Sequence, residues 1–274
     1  MSTQTIVQNK AISIKKKKSN SNKSNRVFRG IALPVLILLL WQILGFIGIM
    51  PAQLFSSPLL IVTSFIELIQ SGELGSHLQI SLTRAFLGFS LGSFFGLLVG
   101  ITVGMNKRSE EYLNPTIQML RTIPLLAITP LFIMWFGFGE LSKVLLIALG
   151  AFFPLYLQSF LGIRNVDQKL YDVAQILQYS RFEKISKLMI PAALPNILLG
   201  IRLALSAAWM CLVVAELLGA DRGVGFMIQD ARSFMQTDIV FVGIIIFALA
   251  GKISDSIVRF LENRLLKWQD SFKA

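Results

Sequence analysis

Very few side chains in this sequence are equipped for covalent or metal chemistry. There is one histidine, His77, and one cysteine, Cys211. A lone imidazole and a lone thiol far apart in the chain make neither a ligand set nor a nucleophile–base pair, and one cysteine excludes an internal disulfide. No G-x-x-x-x-G-K-[ST] stretch occurs, so the usual phosphate-cradling loop is absent. Energy for any work must come from a partner or an ion gradient. What remains are ionisable residues in apolar surroundings: Arg202, Glu216, Lys252 and Asp255. Charges in such runs are costly and are functional candidates by default. Arg202 would either draw an anionic solute along or hydrogen-bond a neighbouring loop. Glu216 would repel an anion and reads better as part of a gate or a structural pair. Lys252 and Asp255, three residues apart, are expected to pair across one helical turn. Trp135, Phe136 and Phe138 fit an aromatic gate or an interfacial belt equally well.

A second kind of chemistry, recognition, is written in Val166 to Pro195, the long polar interruption between two apolar runs of the C-terminal half. Leu170, Val173, Ala174 and Leu177 fall at i, i+3, i+4 and i+7, one apolar stripe on a short helix. Ser180 and Glu183 form an S-x-x-E capping box that starts a second helix. That helix carries Phe182, Ile185, Leu188 and Met189, and it is expected to stop at Pro191, which lacks an N–H. Two short helices, half apolar and half charged, suit a groove on another protein. The pattern alone also fits a plain loop.

The elements that position these residues are membrane spans. The chain has 274 residues, 54% hydrophobic and 15% charged, with a mean hydropathy of +0.66. Ordinary soluble domains hold about 25% charged residues, so the reading is an all-α polytopic membrane protein. The net charge of +11 invites a nucleic-acid partner, but the positions of the charges argue against one. Residues 1–29 read as a disordered basic tail. The first span is expected over residues 30–50, its charge-free part running from Ile31 to Ile49 and longer than a signal-peptide core. An exterior loop follows over 51–76. Further spans are expected over 82–105, 113–138, 143–163, 194–220 and 239–260, with a basic tail over 263–274. In the second of these six spans, Gly88, Gly92, Gly96, Gly100 and Gly104 repeat every fourth residue, a device for close helix packing. Pro124 and Pro130 interrupt the third. Nineteen of the 26 Lys and Arg fall on the side of the N-terminus, which places both termini and the loop over 164–193 in the cytoplasm.

At the level of motifs the loop resembles the EAA motif of ABC-importer permeases, EAA-x3-G-x9-I-x-L-P. Asp172-Val173-Ala174 occupies the EAA positions, and Leu188-Met189-Ile190-Pro191 the I-x-L-P positions. Gln178 replaces the usual Gly. If the turn there is left-handed, a non-Gly residue costs on the order of 1 kcal/mol. The stretches RTIPLLAITPLFIMWFGFGELSKV, FFPLYLQSFLGIRNVD, GIRLALSAAWMCLVVAEL and RFLENRLLKWQ are similar to the aliphatic sulfonate, taurine and nitrate branch of that family, over roughly Trp41 to Trp268. The resemblance implies a type I (MetI-like) importer core spanning residues 77–262, in a bacterial inner membrane. It implies a second permease copy, two cytoplasmic ATPase subunits that bind ATP and Mg, and an extracytoplasmic solute-binding protein. No cofactor is expected on this chain. It also implies ATPase coupling through Leu170, Asp172, Val173, Ala174, Leu177, Gln178, Ser180, Glu183 and Pro191. Aliphatic sulfonates are the first solute it suggests, with taurine, nitrate or a pyrimidine precursor as alternatives. An ion-gradient transporter is the rival of another class, and it would need more intramembrane carboxylates than Glu216 and Asp255.

Overall fold

The computed structural model describes residues 22–47 and 55–267. Among them every regular element is helical. The N-terminal helix α1 (Asn22–Phe46) starts inside the stretch expected to be a disordered tail. The rest of that tail, residues 1–21, and residues 268–274 lie outside the described residues. A helix nucleated by the apolar run can propagate back through Lys, Ser and Asn at little cost per residue. The loop expected over 51–76 contains α2 (Pro58–Gln70). Ser57 caps it, its Oγ accepting from the N–H of Leu60 at 3.4 Å, and Pro58 sits where its missing N–H costs nothing.

Three long helices form the centre: α3 (Glu73–Met105), α6 (Glu140–Arg164) and α9 (Ile190–Gly219). Between the first two, α4 (Lys107–Arg121) and α5 (Leu125–Phe136) meet at a bend of 96°, so the expected third span is broken at Pro124. The first of these, α4, begins just after α3, capped by the Asn106 side chain accepting from Arg108 N–H at 3.0 Å. The remaining elements are α7 (Gln168–Ile176), the short α8 (Arg181–Glu183), α10 (Val224–Ser233) and α11 (Thr237–Leu265). Four helices are long and apolar enough to cross a membrane, or five if the bent pair is one span. The apolar part of α1, Ala32–Phe46, is shorter than that measure. Six spans were the expectation.

The glycine stripe does what its spacing predicts. Gly88, Gly92, Gly96, Gly100 and Gly104 are all buried in α3. A Cβ on them would meet Ile147, Ala148, Phe152, Tyr156 and Ile163 in turn, at Ala148, Phe152 and Tyr156 the backbone itself. The order of partners shows that α3 and α6 run parallel at backbone contact. On its other side α6 packs on α9: Gly150 against Cys211, Gly162 against Ala193, Gly200 against Leu155. The core between them holds Ile147, Leu155, Ile163, Ala204 and Leu212. A second cluster, with Ile61, Leu68, Val224 and Val242, ties α2 and α10 to α11.

Candidate functional site

The elbow between α6 and α9 is built by local backbone chemistry. At the end of α7, Tyr179 N–H donates to the Ala174 carbonyl and Gln178 N–H to that of Gln175, both at 3.0 Å. This is a Schellman motif, and it sets Gln178 at φ 52°. The left-handed turn expected at this position is therefore kept without the glycine. Next, Glu183 N–H donates to Ser180 Oγ at 3.3 Å and Ser180 N–H to Glu183 Oε2 at 3.0 Å, closing the capping box. Lys187 Nζ holds the other carboxylate oxygen at 2.9 Å. These contacts keep the Glu183 carboxyl well below its ordinary range, at about 2, with Lys187 the largest cause and Ser180 the next.

The second helix does not stop at Pro191. Residues Lys184–Met189 form a π turn that runs straight into α9, with Ile190 N–H donating to the Ile185 carbonyl five residues back. The wider turn moves the hydrogen-bond ladder past the proline that cannot donate, so the helix continues through Pro191 and Pro195. The apolar stripe of α7 is divided. Ala174 is fully buried against its own chain, while Leu170, Val173 and Leu177 are exposed, with Ile176 and Phe182 beside them. Asp172 is also exposed.

At the opposite end of the three-helix core lies an ionic cluster in which Arg84, Lys143 and Glu216 are buried and Glu140 is exposed. Glu216 of α9 accepts from Ser81 Oγ at 2.8 Å, Arg84 Nη1 at 2.9 Å and Gly225 N–H at 2.8 Å. Arg84 also forks onto Glu140 through Nε and Nη2, both at 2.6 Å, and donates to the Arg222 carbonyl. Lys143 Nζ lies 3.4 Å from Glu140 and donates to the Phe138 carbonyl at 3.0 Å. Two cations and two carboxylates balance each other. The connection into α10 is sewn to α3 by Val224 N–H donating to Ser81 Oγ and Gly223 N–H to His77 Nδ1, each at 2.9 Å. Gly223 has φ +120°, and a Cβ there would run into Glu216 and Arg84. Glu216 is thus the structural partner of Arg84. Arg84 and Glu140 were missed by reasoning on the sequence, yet an arginine in the first turns of an apolar glycine-rich span was the signal.

Arg202 is paired with α11, not with the elbow. Its Nε donates to Asp255 Oδ1 at 2.7 Å, and Nη1 lies 3.8 Å from Glu262, joining α9 to α11. Arg259 holds the other Asp255 oxygen at 3.0 Å. Asp255 is therefore spent on the two arginines, and the expected Lys252–Asp255 pair is absent. Trp135 and Phe136 are exposed on α5, their rings 6.3 and 5.7 Å from that of Phe132. The residues expected to line a route are not gathered in one place.

Residues 92–267 match the profile of a family described as the binding-protein-dependent transport system inner membrane component. A Bacillus subtilis protein named as an aliphatic sulfonates transport permease is 58% identical, over 89% of each chain. The taurine transport system permease protein of Escherichia coli is 40% identical, over 71% of each chain. Among solved structures, an amino acid ABC transporter crystallised with histidines superposes with a TM-score of 0.60 at 19% identity, over 73% of this chain and 98% of that one; it supports the type I importer fold. The chain therefore belongs to the binding-protein-dependent transport system inner membrane components, as a multi-pass, non-catalytic permease of an ABC importer whose ATPase is a separate subunit.

Proposed function

We propose that this permease carries aliphatic sulfonates inward across a bacterial inner membrane. It works as one of two identical copies, with two cytoplasmic ATPases that hold ATP and Mg and with an extracytoplasmic solute-binding protein. Six spans and cytoplasmic termini complete the reading, which the excess of Lys and Arg on the side of the elbow supports.

The observation that carries it is the uncovered face of α7. Leu170, Val173, Ile176 and Leu177 are exposed on a helix fixed at both ends by a capped turn. Burying each in an ATPase groove is worth on the order of 1–2 kcal/mol. Asp172 at the rim would set register more than affinity. Ala174, Gln178, Ser180, Glu183 and Pro191 shape the elbow, and through the π turn a push on α7 passes into α9. The sulfonate assignment is supported by the 58% identical relative.

The test is Val173→Asp and Leu177→Asp in the assembled transporter. ATPase co-purification and ATP-driven uptake of an alkanesulfonate should both be lost, with the permease still in the membrane. Normal uptake with the ATPase still attached would overturn the docking. Uptake that persists without ATP would point to the ion-gradient class. Strong competition by taurine would favour the solute of the 40% identical relative.

A further inference from the structure

On α11, Lys252 is an ionisable group whose side chain makes no ion pair or hydrogen bond among the described residues. It stands near the middle of α11 and is exposed. Asp255, its local partner by spacing, is held by Arg202 and Arg259. Among the described residues no carboxylate lies within ion-pair distance of it.

Its depth follows from the packing. Gly150 of α6 meets Cys211 of α9, and Gly200 meets Leu155. Trp209 Nε1 donates to Ser254 Oγ at 3.1 Å, which sets Ser254 level with the middle of α6. Lys252 is thus about 18 Å from either end of that helix at 1.5 Å per residue, too deep for its stem to reach water along the bilayer normal.

Its direction follows from the helix. The buried residues of α11 are Val242, Gly243, Ile246 and Val258, while Ala250 and Ser254 line an apolar cleft toward α2, α3 and α9. A residue two positions from both Ala250 and Ser254 points about 200° away. Lys252 therefore shares an outward stripe with Ile245 and Arg259, both exposed. An ammonium on that stripe is unfavourable against lipid tails, so the stripe borders water or protein.

We propose that Lys252 lines the solute route and makes a passing contact with the anionic head group of the solute, a sulfonate or a similar oxyanion. The inference rests on the reading of the chain as an anion importer. A lysine is a compact point charge on a flexible stem, with three donors and no demand for bidentate geometry. Such a group attracts an oxyanion without locking it, which passage requires. The neighbouring arginines serve the lysine by occupying Asp255, which would otherwise neutralise it.

The test uses the complete transporter in liposomes. Lys252→Gln should lower alkanesulfonate uptake about tenfold or more, Lys252→Glu should lower it further, and Lys252→Arg should restore most of it. In Lys252→Cys, a small membrane-impermeant thiosulfonate reagent should modify the new thiol, and added ethanesulfonate should slow the reaction; Cys211 is buried and serves as the silent background. Wild-type uptake by Lys252→Gln, or modification by a lipid-soluble maleimide alone, would overturn the proposal. So would dissociation of the Lys252→Gln transporter into single permease copies, since Lys252 would then pair with a carboxylate of the second copy. If the wild-type transporter takes up no sulfonate, the solute proposed above is wrong, while the labelling still decides whether Lys252 faces the route.

Discussion

Arg84 of α3 and Glu216 of α9 meet at 2.9 Å with both side chains almost wholly withdrawn from solvent. The pair is bracketed by Glu140, Ser81 and the connection that leads into α10. Removing either partner strands a buried charge, which costs about 3–5 kcal/mol. Arg84→Ala and Glu216→Ala should each lower the thermal stability of the purified permease strongly. The double substitution Arg84→Met with Glu216→Leu should cost clearly less than the two single alanine changes together, because the partners are coupled. Additive losses would show that the pair is not the unit.

The glycine seam makes a positional prediction. Gly92→Leu places a side chain where the backbone of Ala148 already stands. It should abolish folded protein in membranes, and Gly92→Ala should lower yield and melting temperature. Gly75, on the same helix but with nothing within 4 Å of its missing Cβ, is the control. Gly75→Ala should be neutral or should stabilise by up to about 1 kcal/mol.

Gln178 occupies the left-handed region at φ 52°. Gln178→Gly should relieve about 1 kcal/mol at that residue, and amides of the elbow should exchange more slowly. Gln178→Val, β-branched at positive φ, should loosen the turn and speed the exchange. Hydrogen exchange read by mass spectrometry separates the two.

The capping box has a defined pH response. The Glu183 carboxyl is lowered from 4.5 to about 2 when the elbow is folded. A lowered folded value means the contribution is fully present above 4.5 and is lost as pH falls through about 2. Protection of the elbow amides, corrected for intrinsic exchange, should therefore be flat from pH 8 to about pH 5. In Glu183→Ala the protection should be weaker throughout that window.

Much of this architecture is legible in the sequence because it is local. The period of four in Gly88 to Gly104 names a helix seam, and S-x-x-E names a cap. Both depend on neighbours along the chain. What escaped depends on distant partners. The contact of Arg84 with Glu216 spans 132 positions, and nothing in either neighbourhood points to the other. Asp255 illustrates competition: a lysine three residues away loses to an arginine from another helix. Pro191 lacks an N–H and so reads as a stop, but the π turn before it lets the ladder skip that donor. Periodicity also groups Ala174 with Leu170, Val173 and Leu177 without revealing that the chain itself covers Ala174.

The seam between α3 and α6 has a mechanical corollary. Where backbones touch along the full height, no lubricating layer of side chains separates them, and a shift of one residue would drive a carbonyl into a neighbouring strut. The two helices therefore travel as one rigid beam. Relative movement within the bundle is left to joints without such a seam, such as the 96° bend between α4 and α5.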